Sequence, residues 1–295
     1  MFRYFPEPED EPTLVDIELE DEPVTLCIAA ACQYRNQPRI VTCTDWKVST
    51  PYGSAENADK MRWIKKPNWV ALTAGNKRVS DALVRTSRVA VANQEITELS
   101  ALGIFTRIAQ RQIKVVKNTY VFSSLGVSYK NFRLHWETQF PLAVALETFS
   151  EIRKKHLDAS LIVAGFVSEG NSHKPLICQI DRFGNVSISE HFECSGEGAT
   201  VAKPALLRRE YHSSVSLMDA AYRLYEAKKL AEVFDSVGKD ISVDILYPDG
   251  TLEQFSDKGH DRLEIMLKRF GPKEKIVKPK LEKRYFDSLD FNSLH

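Results

Sequence analysis

The chain lacks most of the features that mark a specialised class of protein. Its 295 residues include five cysteines, and no two of these form a C-x-x-C pair. Cys27, Cys32, Cys43, Cys178 and Cys194 are scattered through β-compatible runs. That pattern excludes a disulfide framework and suits reduced thiols in a cytoplasm. No two of the seven histidines stand at H-x-x-x-H spacing or its near variants, so no metal site is expected. Long apolar runs are missing too. Segments such as Cys27–Cys32 fall far short of the roughly 18 apolar residues that a membrane-spanning helix needs. No basic region followed by an apolar stretch opens the chain, so a secretory signal is not expected. There is no P-loop, no G-x-G-x-x-G, no G-x-S-x-G and no zinc motif, and no metal or organic cofactor is implied.

What is present is an average globular composition, 43% hydrophobic and 27% charged, which excludes a disordered or collagen-like chain. Forty basic and forty acidic residues cancel, but unevenly along the chain. Met1–Pro23 holds nine acids against Arg3, whereas Lys268–Arg284 holds eight bases against Glu274 and Glu282. These ends read as solvated or partner-pairing appendages. The basic tail has no reading motif, so nucleic acid is not an expected partner. Three segments follow: an acidic leader or propeptide over 1–23, a folded domain over 24–255, and a partly helical extension with a basic tail over 256–295.

Val24–Tyr34 and Arg39–Asp45 read as strands around a turn at Arg35-Asn36-Gln37-Pro38. Lys60–Ile64 and Trp69–Thr73 are two more. From Asn76 the period becomes helical, with Val79, Leu83, Val84 and Val91 on one face, and Glu98–Val116 repeats the pattern. Asn118–Trp136 reads as an elaborated connection, with a return to helix over Leu142–His156. Strands are expected again at Ala159–Phe166, Lys174–Asp181 and Val186–Glu193. Helices follow at Thr200–Tyr211 and Ser216–Glu232, the second capped by Ser216. Ile241–Tyr247 is the last strand. Two sheets flanked by helical layers make an α+β architecture.

Several punctuating residues then take on meaning together. They are Thr25-Leu26-Cys27-Ile28-Ala29-Ala30-Ala31, Ile40-Val41-Thr42-Cys43-Thr44-Asp45, Ala58-Asp59-Lys60-Met61, Val70-Ala71-Leu72-Thr73-Ala74-Gly75, Ile162-Val163-Ala164-Gly165-Phe166 and Cys194-Ser195-Gly196-Glu197-Gly198. In this order they resemble the proteasome-subunit-like branch of the N-terminal nucleophile (Ntn) hydrolases. Tyr225-Glu226-Ala227-Lys228-Lys229, followed by Val237-Gly238-Lys239-Asp240, looks most like uncharacterised bacterial members. The resemblance covers about Val24 to Asp249. It implies a four-layer αββα sandwich and a homo-oligomer, with a peptide or amide as substrate.

The resemblance also implies a site. An N-terminal Thr, Ser or Cys attacks a carbonyl, and its own α-amine takes the proton. With the hairpin turn centred near Asn36–Gln37, Asp45 should face about residue 28, to within one or two. Thr25 and Cys27 share a strand face, so either is a candidate nucleophile, and the family pattern favours Thr25. Lys60 matches the activating lysine, Asp45 its carboxylate and Gly75 the oxyanion glycine. Ser195 matches an auxiliary serine, and Asp235 an auxiliary acid. Three departures stand against these matches. Gly238 occupies the place of a second serine, Cys194 replaces a glycine, and Thr25 is preceded by Val24 in place of the usual glycine.

Three functional expectations result. The first is a latent threonine-type peptidase or amidohydrolase, active in proteolysis once the leader is removed. The second is a non-catalytic subunit of a proteasome-like assembly, and the third is a charged scaffold. All three place the protein in the cytoplasm and off the membrane.

Overall fold

The computed structural model describes residues 25–50, 53–56, 60–92, 94–170 and 172–272. The acidic leader, Ala58, Asp59 and the basic stretch 273–284 lie outside these residues. The chain opens with a hairpin, β1 (Cys27–Tyr34) and β2 (Gln37–Asp45), and a second hairpin, β3 (Lys47–Thr50) and β4 (Gly53–Glu56). Strands β5 (Met61–Lys65) and β6 (Trp69–Gly75) lead into helices α1 (Lys77–Val91) and α2 (Glu98–Lys117). A π-helical turn, Asn118–Phe122, then joins α3 (Tyr129–Gln139) and α4 (Leu142–Lys154). Next come β7 (Ala159–Glu169), β8 (Ser172–Ile180), β9 (Val186–Ser189) and β10 (Phe192–Ser195). Helices α5 (Ala199–Arg208) and α6 (Leu217–Ala231) follow, then β11 (Ile241–Leu246), β12 (Leu252–Gln254) and α7 (Asp257–Phe270).

The strands build two antiparallel five-stranded sheets, ordered β10-β1-β2-β11-β12 and β5-β6-β7-β8-β9, beside the β3-β4 hairpin. The fold is a mixed α+β arrangement. One apolar cluster joins Cys27, Ala29 and Ala31 of the first sheet to Val70, Leu72, Ile162 and Ala164 of the second, so the sheets pack face to face. Alternation sends Leu26, Ile28 and Ala30 to the opposite face of β1, onto Ala202 and Leu206 of α5 and Leu224 of α6. The outer face of the second sheet buries Ala71, Leu161 and Val163 against Leu83 of α1 and Phe105 of α2. Strand β1 is apolar over Cys27–Cys32 because both of its faces are covered there.

Three expectations are corrected. The first hairpin turns on two residues, Arg35 and Asn36, whose φ angles of 51° and 59° are the left-handed pair such a turn needs. Its centre lies one position earlier than expected, so Asp45 faces Leu26, at the edge of the range expected around residue 28. Pro38 belongs to β2, opposite Gln33 and beyond the last β11 pairing at Ile40. Gln33 sends its own N–H away from β2 to Val215, so the donor that Pro38 lacks falls on an unpaired side.

Asn118–Trp136 is not only a connection, since Ser128 caps α3 within it. That helix escaped notice because it buries a single side chain, Phe132, in an aromatic cluster with Phe122 and Phe149. Val186–Glu193, expected as one strand, is two strands in different sheets. No helix among the described residues is long and apolar enough to cross a membrane.

Candidate functional site

Three side chains expected from distant parts of the sequence meet at the open end of the first hairpin. Thr25 stands two residues before β1, Asp45 ends β2, and Lys60 directly precedes β5. The Asp45 N–H donates to the Leu26 carbonyl at 3.2 Å, which closes the hairpin there and sets Asp45 beside Thr25. Lys60 is fixed through its backbone, whose carbonyl accepts from the Thr73 N–H at 3.0 Å and the Thr73 hydroxyl at 3.2 Å.

Asp45 is the hub. It is 0% exposed, yet it accepts from four donors. The Thr25 hydroxyl reaches Oδ1 at 2.6 Å, the Leu26 N–H reaches it at 2.8 Å, and the Lys60 ammonium at 2.7 Å. The Gly238 N–H satisfies Oδ2 at 2.9 Å. The Lys60 ammonium also donates to Thr25 Oγ1. A buried ion pair is tolerable only when its remaining hydrogen-bonding capacity is met, and here it is. Thr25 Oγ1 therefore lies between a cation and an anion. Its proton points to Asp45, and Lys60 lowers the cost of developing negative charge on the oxygen.

Cys27 is placed differently. Its thiol faces the second sheet and donates weakly to the Thr73 carbonyl at 3.4 Å. Burial pushes that thiol up to about 12; the Lys60 charge opposes the rise and the Asp45 charge reinforces it. Since the thiolate is the reactive form, Cys27 is inert near neutral pH. Of the two candidate nucleophiles, the lysine and the carboxylate both engage Thr25.

The remaining candidates divide. Gly75 ends β6 with φ of +90°, and a Cβ there would sit 2.5 Å from the Asp158 carbonyl oxygen. Only glycine fits where β7 begins so close. Ser195 pairs with Cys27 across β10 and β1, but its hydroxyl bonds Ser160 of β7. It tethers the two sheets next to Thr25. Asp235 is exposed in the turn after α6, and the group which that turn delivers to Asp45 is the Gly238 amide.

Sequence reasoning missed three contributors. Gly238 looked like a defect where a serine was expected, yet its backbone N–H performs the hydrogen bond. Gly196, with φ of +93°, lets the chain pass so near Thr25 that a Cβ would lie 2.0 Å from the Thr25 carbonyl oxygen. Ser160 is an ordinary strand serine until its partner, Ser195, is known. For Gly196 the cue was present in Ser195-Gly196-Glu197-Gly198, whereas backbone donors and cross-sheet pairs leave no mark in a single sequence. No protein-family model matches this chain, and no curated protein matches it.

Proposed function

We propose that the chain is a proteasome-subunit-like member of the Ntn hydrolases, with a four-layer αββα sandwich. On this reading it is a threonine-type amide hydrolase or peptidase that becomes active when residues 1–24 are removed. The observation that carries the reading is the Lys60 ammonium held on both Thr25 Oγ1 and Asp45 Oδ1. A threonine hydroxyl is a poor nucleophile alone, and a cation on its oxygen plus a base for its proton are what activation requires. With residue 24 attached, the Thr25 nitrogen is an amide and cannot serve as that base. Removal of the leader turns it into an amine one residue-length from its own hydroxyl. Attack on an amide carbonyl then forms a tetrahedral intermediate. Its collapse breaks the C–N bond, and the departing amine takes the proton that the Thr25 α-amine had accepted. Water then hydrolyses the resulting Thr25 ester to release the acid. Gly75, two residues beyond Thr73 on β6, is the expected oxyanion glycine.

A second reading, a non-catalytic subunit of a proteasome-like assembly, draws on the burial of Thr25, which is 3% exposed. One experiment separates the two. The chain is released from a cleavable fusion so that it begins at Thr25, then treated with a β-lactone that acylates nucleophilic hydroxyls. Intact mass should show a single adduct on Thr25, absent in Lys60→Ala and in the full-length chain. A folded, trimmed protein that never gains the adduct supports the assembly reading.

A further inference from the structure

Lys228 is out of place by ordinary rules. It lies in the last turn of α6 and is 0% exposed, on a helix whose neighbouring Leu224, Ala227 and Ala231 belong to the apolar cluster beneath the first sheet. A methionine would fill this position without desolvating a charge, and burial indeed pulls the Lys228 pKa below the ordinary lysine value. What the ammonium does there is specific. It bonds the Glu232 carboxylate one helical turn on and donates to the Lys239 carbonyl at 2.8 Å. Glu232 is also held by Lys229 at 2.9 Å.

The contact matters because of where Lys239 lies. Residues 232–240 join α6 to β11 without a strand ladder, held locally by the Val237 N–H on the Phe234 carbonyl at 3.0 Å. Val237 is buried, and a Cβ added to Gly198 would come within 2.9 Å of it. Gly238 thus sits between two anchors, the Val237 side chain before it and the Lys239 carbonyl after it. From that bracket its N–H reaches Asp45 Oδ2.

We propose that Lys228 is a positioning residue for Asp45. By holding the Lys239 carbonyl from under the sheet, it fixes the Gly238 amide on Asp45, and with it the carboxylate orientation that serves Thr25 and Lys60. The inference rests on the hydrolase reading for its effect on reactivity, while the clamp itself is tested on the full chain without any activity.

The test is amide hydrogen exchange resolved to residues 233–241 in the full chain and in Lys228→Met, which keeps the stem and removes the donors. Because hydrogen bonds to charged groups are worth the most, the Gly238 amide should exchange about tenfold faster or more. The amides of β1 and β2 should be unchanged. Unaltered Gly238 exchange overturns the proposal, and so does an even loss of protection across both sheets, which marks a merely structural lysine. If Lys228→Met fails to fold, lysine-selective NMR of the wild-type chain decides. A slowly exchanging ammonium coupled to the Lys239 carbonyl upholds the clamp, and its absence refutes it. In the chain beginning at Thr25, Lys228→Met should slow β-lactone labelling by about tenfold and alter its pH profile. Should the wild-type trimmed chain not label, the hydrolase reading falls, and the exchange data still judge the clamp.

Discussion

Asp45 concentrates four hydrogen bonds on two oxygens in a place water does not reach. Removing such a hub does more than delete its contacts. It strands the Lys60 ammonium, the Thr25 hydroxyl and two backbone N–H groups in the interior. Breaking one side of a buried ion pair typically costs about 3–5 kcal/mol, so Asp45→Ala should lose about that much stability in urea unfolding. Asp45→Asn, which keeps the shape but not the charge, should lose less. Equal and small losses for both would mean that the carboxylate is not the organising group. Thr25→Val, nearly the same shape, takes one donor from Asp45, which keeps three. It also takes one acceptor from the Lys60 ammonium, which keeps Asp45, so it should cost about 1–3 kcal/mol.

Strand β1 shows what an element's pattern discloses and what it hides. The run Cys27–Cys32 was legible as strand and as too short to span a membrane. That it is buried on both faces, between α5 and α6 on one side and the second sheet on the other, emerges only from the fold. The helices with strong periodicity and capping residues were equally legible, Ser216 accepting from the Asp219 N–H as its position suggested. Asp45, Lys60 and Gly75 could be proposed because the motifs that carry them resemble those of the Ntn hydrolases, not because a strand end by itself marks a site. Two other things stayed hidden. Whether Val186–Glu193 is one strand or two depends on which sheet edge is vacant, which is a property of the assembled fold. The Gly238 donor is a backbone group whose identity any residue but proline shares.

The double burial of β1 has a measurable consequence. Burial pushes both the Cys27 and Cys32 thiols up to about 12. Native protein at pH 8 should therefore resist iodoacetamide at both positions, and denatured protein should react at both. Thiols raised in the folded state favour it only while the unfolded chain keeps its protons. Stability should then hold up to the unfolded thiol pKa, near 9, and fall as pH climbs toward 12, by up to about 1.4 kcal/mol per pH unit for each such cysteine. A stability curve flat from pH 9 to 11 would contradict the burial.

At the scale of the whole molecule, the site is made by two sheets meeting. The first contributes Thr25 and Asp45, and the second contributes Lys60, Thr73 and Gly75, with Ser195 and Ser160 tying the two together. The nine acids that precede Thr25 end at a buried strand opening, so cutting the chain there places a new positive charge in this junction. On the proposed reading that charge governs the chemistry. An α-ammonium ordinarily loses its proton near pH 7.7–8.0. Burial and the adjacent Lys60 ammonium disfavour its charged form, and the Asp45 carboxylate, which favours it, is already offset by its ion pair with Lys60. Its pKa in the folded, trimmed chain should thus lie below the ordinary range. The rate of β-lactone labelling should rise with pH to a midpoint under about 7.7 and then level off. Folding stability of the trimmed chain should rise over the same interval, because below it the folded state must hold an ammonium that the unfolded chain hydrates freely. In Lys60→Met the repulsion is gone, so a midpoint measured from stability should move upward even though labelling is lost. A midpoint at or above 8 in the trimmed wild-type chain, or one that Lys60→Met leaves in place, would show that the Thr25 amine does not feel Lys60 and would remove the basis for a threonine hydrolase.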